Sequence, residues 1–158
     1  MPYDLDRLDR KLLALLQQDS TLTVAELGDR IGLSSTPCWK RLKRLEDEGF
    51  VERRVALVDR VKVGLPVTVF VSIRTNSHDE SWLVDFANAV SKLPEIVEIY
   101  RMSGDVDYLL KVVTSDIEGY DRLYKRLIRS VKLTDVSSAF AMEQIKYTTE
   151  MPLLPDES

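Results

Sequence analysis

Lys40, Arg41, Lys43 and Arg44 bring four cations together in five positions, and no acid interrupts the chain between Asp29 and Glu46. A one-signed run of this kind suits phosphate chemistry. Guanidinium and ammonium groups neutralise a nucleic-acid backbone, and the same side chains can bond to base edges in the major groove. The bland reading of a charge run is a solvated surface, but solvated helix faces usually interleave Glu with Lys four residues apart. Here Cys38, Leu42 and Leu45 fall at i, i+4, i+7 as one apolar stripe, while Thr36, Trp39, Lys40, Lys43 and Arg44 occupy the other side. Ser34 and Ser35 are good N-cap residues, and Pro37 belongs in a first helical turn. The segment therefore predicts a recognition helix for double-stranded DNA. Lys40, Lys43 and Arg44 are expected on phosphates, with backbone N–H groups near Ser34 and Ser35. Ser35, Thr36, Trp39, Lys40 and Lys43 are expected on base edges. Arg41 lies at the margin of the apolar stripe and is expected to pair within the domain, with Glu46 as a candidate partner.

The other stretch with chemical potential is Ser103 to Tyr108. Asp105 and Asp107 form a close carboxylate pair, but no His, Cys or Lys nucleophile accompanies them, so acid–base catalysis is not expected. Gly104 reads as a turn residue needing positive φ, and Asp107 as an acceptor for nearby backbone N–H groups. The same groups match an amino acid: N–H groups around Gly104 can meet its carboxylate, and Asp107 can accept from its ammonium. The six glycines are scattered, so no phosphate-cradling loop exists. The single histidine, His78, sits beside Asp79 and Glu80 and reads as a helix start rather than a metal ligand. Neither a metal nor a cofactor is expected. One cysteine excludes an internal disulfide framework and fits a reducing cytoplasm. No apolar run approaches the ~20 residues of a membrane span, and Asp4, Asp6 and Asp9 do not resemble a signal peptide.

The elements that must position these groups follow from periodicity. Residues 4–19 predict a first helix with Leu5, Leu8, Leu12, Leu15 and Leu16 on one face. Thr23 and Glu26 match a capping box that opens a second helix, which buries Leu27 and Ile31 and stops near Gly32. The basic helix then runs to Gly49, completing a helix-turn-helix unit. Phe50 to Val58 is rich in β-formers and predicts a small wing, whose Arg53 and Arg54 either reach phosphates or are solvated. A linker is expected at 59–66. Beyond it come a strand (67–73), a helix capped by Ser77 with Trp82, Phe86, Val90 and Leu93 inward, and two strands (96–102 and 106–113). A helix with Ile117, Tyr120, Tyr124, Leu127 and Val131 on one side follows, then a last strand (135–142). This is a ferredoxin-like βαββαβ order, and the fold class is α+β. The expected domains are 1–58 for DNA, 59–66 as linker, 67–151 for effector binding and oligomerisation, and 152–158 as an unstructured tail. The net charge of −4 fits this division, because residues 1–58 balance at 10 against 10 and residues 59–158 hold 12 cations against 16 acids. Two helices cover only one face of such a sheet, yet its strands carry apolar residues at both parities, so a homo-oligomer is expected.

Several strings resemble the Lrp/AsnC family of transcriptional regulators. They are Leu5-Asp6-Arg7-Leu8-Asp9-Arg10, Gly32 to Cys38, Arg44-Leu45-Glu46-x-x-Gly49, Ser103-Gly104-Asp105-Val106-Asp107-Tyr108-Leu109 and Met142-Glu143. The resemblance implies an amino-acid-sensing second domain and dimers that commonly assemble into octamers. It also implies an effector site near the 103–108 turn, between dimers, with contacts from Ser137, Ser138, Ala139 and Phe140 of the last strand. Tyr100, Arg101 and Met102 on the adjacent strand would shape selectivity, Met102 favouring a sulfur-containing ligand. Thr36 to Asp47 and Phe140 to Thr149 further resemble a branch of the family that responds to cysteine. The segment Ser130 to Thr134 departs from the family in lacking a Pro-Gly turn. The competing functions are an architectural DNA-wrapping protein of weak sequence preference and an amino-acid-binding metabolic module.

Overall fold

The computed structural model describes residues 4–76, 79–130 and 133–153. The chain divides into two compact units, Met1–Ala56 with Lys146–Ser158, and Leu57–Ile145.

In the first unit, α1 (Arg7–Gln18), α2 (Val24–Ile31) and α3 (Ser35–Asp47) surround one core. The first helix starts later than the sequence predicts, because Asp6 and Asp9 form a capping box: Asp9 N–H donates to Asp6 Oδ1 at 2.8 Å and Asp6 N–H to Asp9 Oδ2 at 3.1 Å. Thr23 and Glu26 form the second box as predicted. Gly32, at φ 77°, ends α2 in the left-handed region. The turn into α3 is tight: Leu33 N–H reaches Gly28 O at 2.8 Å, and a Cβ on Gly28 would lie 2.5 Å from Leu33 O. Ser34 occupies the N-cap of α3, but its side chain makes no cap hydrogen bond. Leu12, Leu27, Cys38 and Leu45 are fully buried at the centre.

Two segments of this unit go beyond what local pattern gives. No strand forms between Phe50 and Val58 among the described residues. A strand needs a partner to satisfy its backbone, and this segment leads straight into a turn where Val61 N–H bonds to Asp59 Oδ1. Val55, Leu57 and Val58 stay exposed. The C-terminal stretch from Lys146 packs with the first unit. Gln17 holds it from α1, its amide donating to Met151 O at 3.2 Å and accepting from Met151 N–H at 2.5 Å, while Leu153 packs on the core. The tail beyond 153 lies outside the described residues.

The second unit has β1 (Val67–Arg74), α4 (Glu80–Val90), β2 (Ile96–Arg101), β3 (Tyr108–Thr114), α5 (Ile117–Ser130) and β4 (Asp135–Phe140). Its sheet runs β2-β3-β1-β4 with every pair antiparallel, the ferredoxin-like order. Alternation along β1 sends Val69, Val71 and Ile73 into the core with Leu110 and Val112 of β3. Phe86, Val90, Leu93, Leu123 and Leu127 close it from the helices. Asp79 caps α4, accepting from Trp82 N–H at 2.7 Å; Ser77, the predicted cap, and His78 lie outside the described residues. Ile117 is 70% exposed and Leu123 takes its expected place, because the buried arc of α5 centres on Leu123 and Leu127, about 100° from Ile117. Val131 lies outside the described residues.

The Gln17 clasp yields a stability prediction. Gln17→Ala combined with Leu153→Ala removes two hydrogen bonds and a half-buried side chain, and should destabilise the first unit by about 1–3 kcal/mol. Amide exchange of α1 measures this; unchanged protection would show that the tail contributes nothing.

Candidate nucleic-acid interface and effector site

Helix α3 turns its stripe of Cys38, Leu42 and Leu45 into the core. That fixes the opposite side outward. Ser34, Ser35, Thr36, Lys40 and Lys43 are exposed, and Trp39 is 52% exposed despite its size. Lys43 Nζ pairs with Asp47 at 2.6 Å, a solvent-exposed i, i+4 contact of small net worth. That contact raises the lysine's pKa, first through the hydrogen bond to Asp47. Lys40 has no ion-pair partner among the described residues.

The two arginines of the run behave differently. Arg44 does not stand free for a phosphate as the sequence suggests: its Nη2 lies 2.5 Å from Asp9 Oδ2, and its Nη1 3.6 Å from Glu48. Arg41 does pair within the domain, but with Asp6 at 2.5 Å and Asp9 at 2.9 Å rather than with Glu46. Glu46 is taken by Arg54 at 2.8 Å, so Arg54 is tied to the helical unit, whereas Arg53 is exposed. Asp9 is the residue that sequence reasoning missed. It is 1% exposed, and its position was legible, since it interrupts the apolar stripe of α1 between Leu5 and Leu12. Hydrogen bonds to Asp6 and Asp9, respectively, hold the Arg41 and Arg44 pKa values above the ordinary guanidinium value. Burial works against the Asp6 carboxylate, but the Asp9 N–H and Arg41 outweigh it and leave the group below its usual range. Beside this cluster lies an open cleft of about 450 Å³ lined by Asp4, Asp6, Asp9, Lys40, Arg41 and Arg44. Cys38 is buried within the core, and desolvation pushes its thiol pKa up, so it is a packing residue.

In the second unit the turn after β2 has the expected geometry. Gly104 sits at φ 115° with open space on the side where a Cβ would stand. Met102, Gly104 and Asp105 are exposed around it, as are Tyr100 and Arg101 on the strand leading in. Asp107 knits three strands together. Its N–H donates to Ile73 O at 3.0 Å, its carbonyl accepts from Met102 N–H at 2.8 Å, and its Oδ2 accepts from Thr75 N–H at 2.8 Å. Its other carboxylate oxygen has no partner among the described residues.

The remaining effector candidates are dispersed. Tyr108 is buried against Phe86, ring centroids 4.8 Å apart, and is a core residue rather than a turn-surface one. On β4, Phe140 pairs across from Val69 and Ser138 from Val71, so both lie on the helix-covered side. There Phe140 meets Tyr120 edge-on at 5.2 Å, and the Tyr120 hydroxyl bonds to Ser138. Ser137 and Ala139 face the other way, opposite Ser72 and Phe70. The period of two in a strand makes this unavoidable: four consecutive residues cannot share one face. The open face also carries Leu109 and Val113, with Phe70 at 38% exposure. At its β2 edge Glu98 accepts from Lys111 and from the Tyr100 hydroxyl, each at 2.7 Å, and this depresses the Glu98 pKa and raises that of Tyr100.

No group of His, Cys, Asp and Glu capable of holding a metal ion occurs among the described residues, and no helix there is long and apolar enough to cross a membrane. Comparison with known proteins assigns both units. Residues 5–52 match a winged helix-turn-helix DNA-binding model, and residues 68–151 the Lrp/AsnC ligand binding domain. The Escherichia coli DNA-binding transcriptional activator DecR is 53% identical, the match covering 94% of this chain and 99% of that protein. An AsnC family transcriptional regulator from Agrobacterium tumefaciens superposes with a TM-score of 0.91 at 64% identity, covering 94% of this chain and 97% of that one. A Neisseria meningitidis transcriptional regulator solved with L-methionine superposes with a TM-score of 0.89 at 35% identity, again covering 94% and 97%. With a helix-turn-helix unit, a ferredoxin-like ligand-binding unit and relatives matching along nearly its whole length, the chain belongs to the Lrp/AsnC family of DNA-binding transcriptional regulators, and is a regulator rather than an enzyme.

Proposed function

We propose that the chain is a cytoplasmic, sequence-specific regulator of amino-acid metabolism genes, with α3 in the major groove and an amino acid as effector. The observation that carries the reading is the outward face of α3, where Thr36, Trp39, Lys40 and Lys43 stand exposed behind a tight turn. Lys40 and Lys43 serve as phosphate and base-edge donors, Ser34 and Ser35 present backbone N–H groups, and Thr36 and Trp39 discriminate bases. Lys43→Ala should weaken binding to operator and random DNA alike and flatten the log K against log salt slope by about one unit. Trp39→Ala should instead lower the ratio of operator to random affinity. Fluorescence anisotropy over a salt series separates the two effects, and unchanged affinities in both variants would sink the assignment.

The effector is proposed to bind at the 103–107 turn with cysteine as the first candidate. Open space at Gly104, the spare oxygen of Asp107 and the exposed thioether of Met102 support that choice. So does the likeness to the cysteine-responsive branch. Asp105 lies close enough in sequence to add to the field at the ammonium, whereas Ser137 and Ala139 sit on β4, at the opposite edge of the sheet from β2. Asp107→Asn keeps an acceptor for Thr75 N–H but loses the charge that an ammonium needs. It should retain fold and DNA affinity while cysteine binding by calorimetry falls at least tenfold. A wild-type isotherm that persists in this variant would place the ligand elsewhere.

The open sheet face is proposed to pair with a second copy, as a step toward a dimer or octamer. Phe70, Leu109, Val113 and Ala139 supply an apolar centre, and the Glu98–Lys111 pair a polar margin. Phe70→Asp would bury an unpaired charge at that centre and should shift light scattering to a smaller species. An unchanged mass would show that this face is not the contact.

A further inference from the structure

We infer that Asp9 is a specificity-determining residue for DNA: from α1 it takes Arg41 and Arg44 out of the phosphate-binding set of the recognition helix. The sequence offers four cations on α3, but the geometry leaves only Lys40 and Lys43 without a carboxylate from the α1 end. Asp9 Oδ1 holds Arg41 Nη1 at 2.9 Å, and Oδ2 holds Arg44 Nη2 at 2.5 Å. Asp6 adds a second carboxylate 2.5 Å from Arg41. Two guanidinium charges therefore meet three carboxylates, Asp6, Asp9 and, at 3.6 Å, Glu48. Asp9 occupies both arginines as a DNA phosphate would, through charge-assisted bonds to a buried oxyanion.

This has a consequence for recognition rather than for stability. A buried carboxylate–arginine cluster contributes little net folding energy, because desolvation offsets most of its attraction. Its effect on DNA binding is larger. Each cation that neutralises a phosphate adds roughly 0.9 to the salt slope and strengthens binding to any sequence equally. Withholding two of them lowers the sequence-independent part of affinity and leaves Thr36, Trp39 and Lys40 to carry a larger share of the total. Asp9 acts through the arginines and touches no base itself.

The test uses the full-length chain and a short random-sequence duplex. Asp9→Asn is nearly isosteric and keeps an acceptor for Asp6 N–H, but it removes the buried charge that the two guanidinium groups share. Anisotropy titrations should show tighter random-DNA binding than wild type and a salt slope steeper by about one to two units. Adding Arg41→Gln and Arg44→Gln to Asp9→Asn should return the slope to the wild-type value. A purely structural role predicts weaker binding and a slope no steeper than wild type, and that result, with helix content unchanged by circular dichroism, overturns the inference. If Asp9→Asn alone fails to fold, the triple variant Asp9→Asn, Arg41→Gln, Arg44→Gln, which leaves no buried charge unpaired, decides. The inference requires an unchanged slope there, and a slope shallower by one unit or more refutes it.

Discussion

The first unit depends on one buried carboxylate. Asp9 lies on the face of α1 that meets α3, with an oxygen for each of two arginines and a share in the cap of its own helix. A carboxylate taken out of water without donors costs several kcal/mol, so the position is tolerable only while Arg41 and Arg44 reach it. That requirement fixes the rotation of α3 relative to α1 more narrowly than apolar packing alone. Leucines slide with little penalty, whereas charge-assisted bonds at 2.5–2.9 Å do not. Trp39, Lys40 and Lys43 consequently project from a helix whose azimuth is set by the arginines behind them.

Asp107 plays a comparable part in the second unit. Its backbone joins β1 and β2 to the start of β3, and its side chain satisfies Thr75 N–H beyond the end of β1. The turn carrying Gly104 is thus mounted on three strands. A rigid mount with one carboxylate oxygen left over suits the amino-acid site proposed at this turn. The sheet beneath presents Phe70 within a surface partly neutralised by Glu98, Lys111 and Tyr100.

Much of this architecture could be read from residue patterns. Caps at Thr23 and Gly32, the stripe Cys38–Leu42–Leu45 and the alternation in β1 each reflect local rules that tertiary context did not override. What local pattern does not give involves partners distant in sequence. A β-rich segment at 50–58 forms a strand only if a partner strand is available. Arg44 looks free until Asp9, 35 residues away, is folded beside it. Tyr108 belongs to a turn motif by sequence, but strand parity sends it to Phe86. Ser137 to Phe140 form one string on paper and two faces in the sheet. The attachment of Lys146 onward to the helical unit had no local signal, because Gln17 and Met151 carry no motif.

If the outward face of α3 meets DNA as proposed, binding must shield it. Hydrogen–deuterium exchange on the full-length protein, with and without an operator duplex, tests it most directly. Added protection should concentrate in residues 33–44, with the 103–107 turn unaffected by DNA alone. Protection that spares α3 and falls instead on the second unit would contradict it.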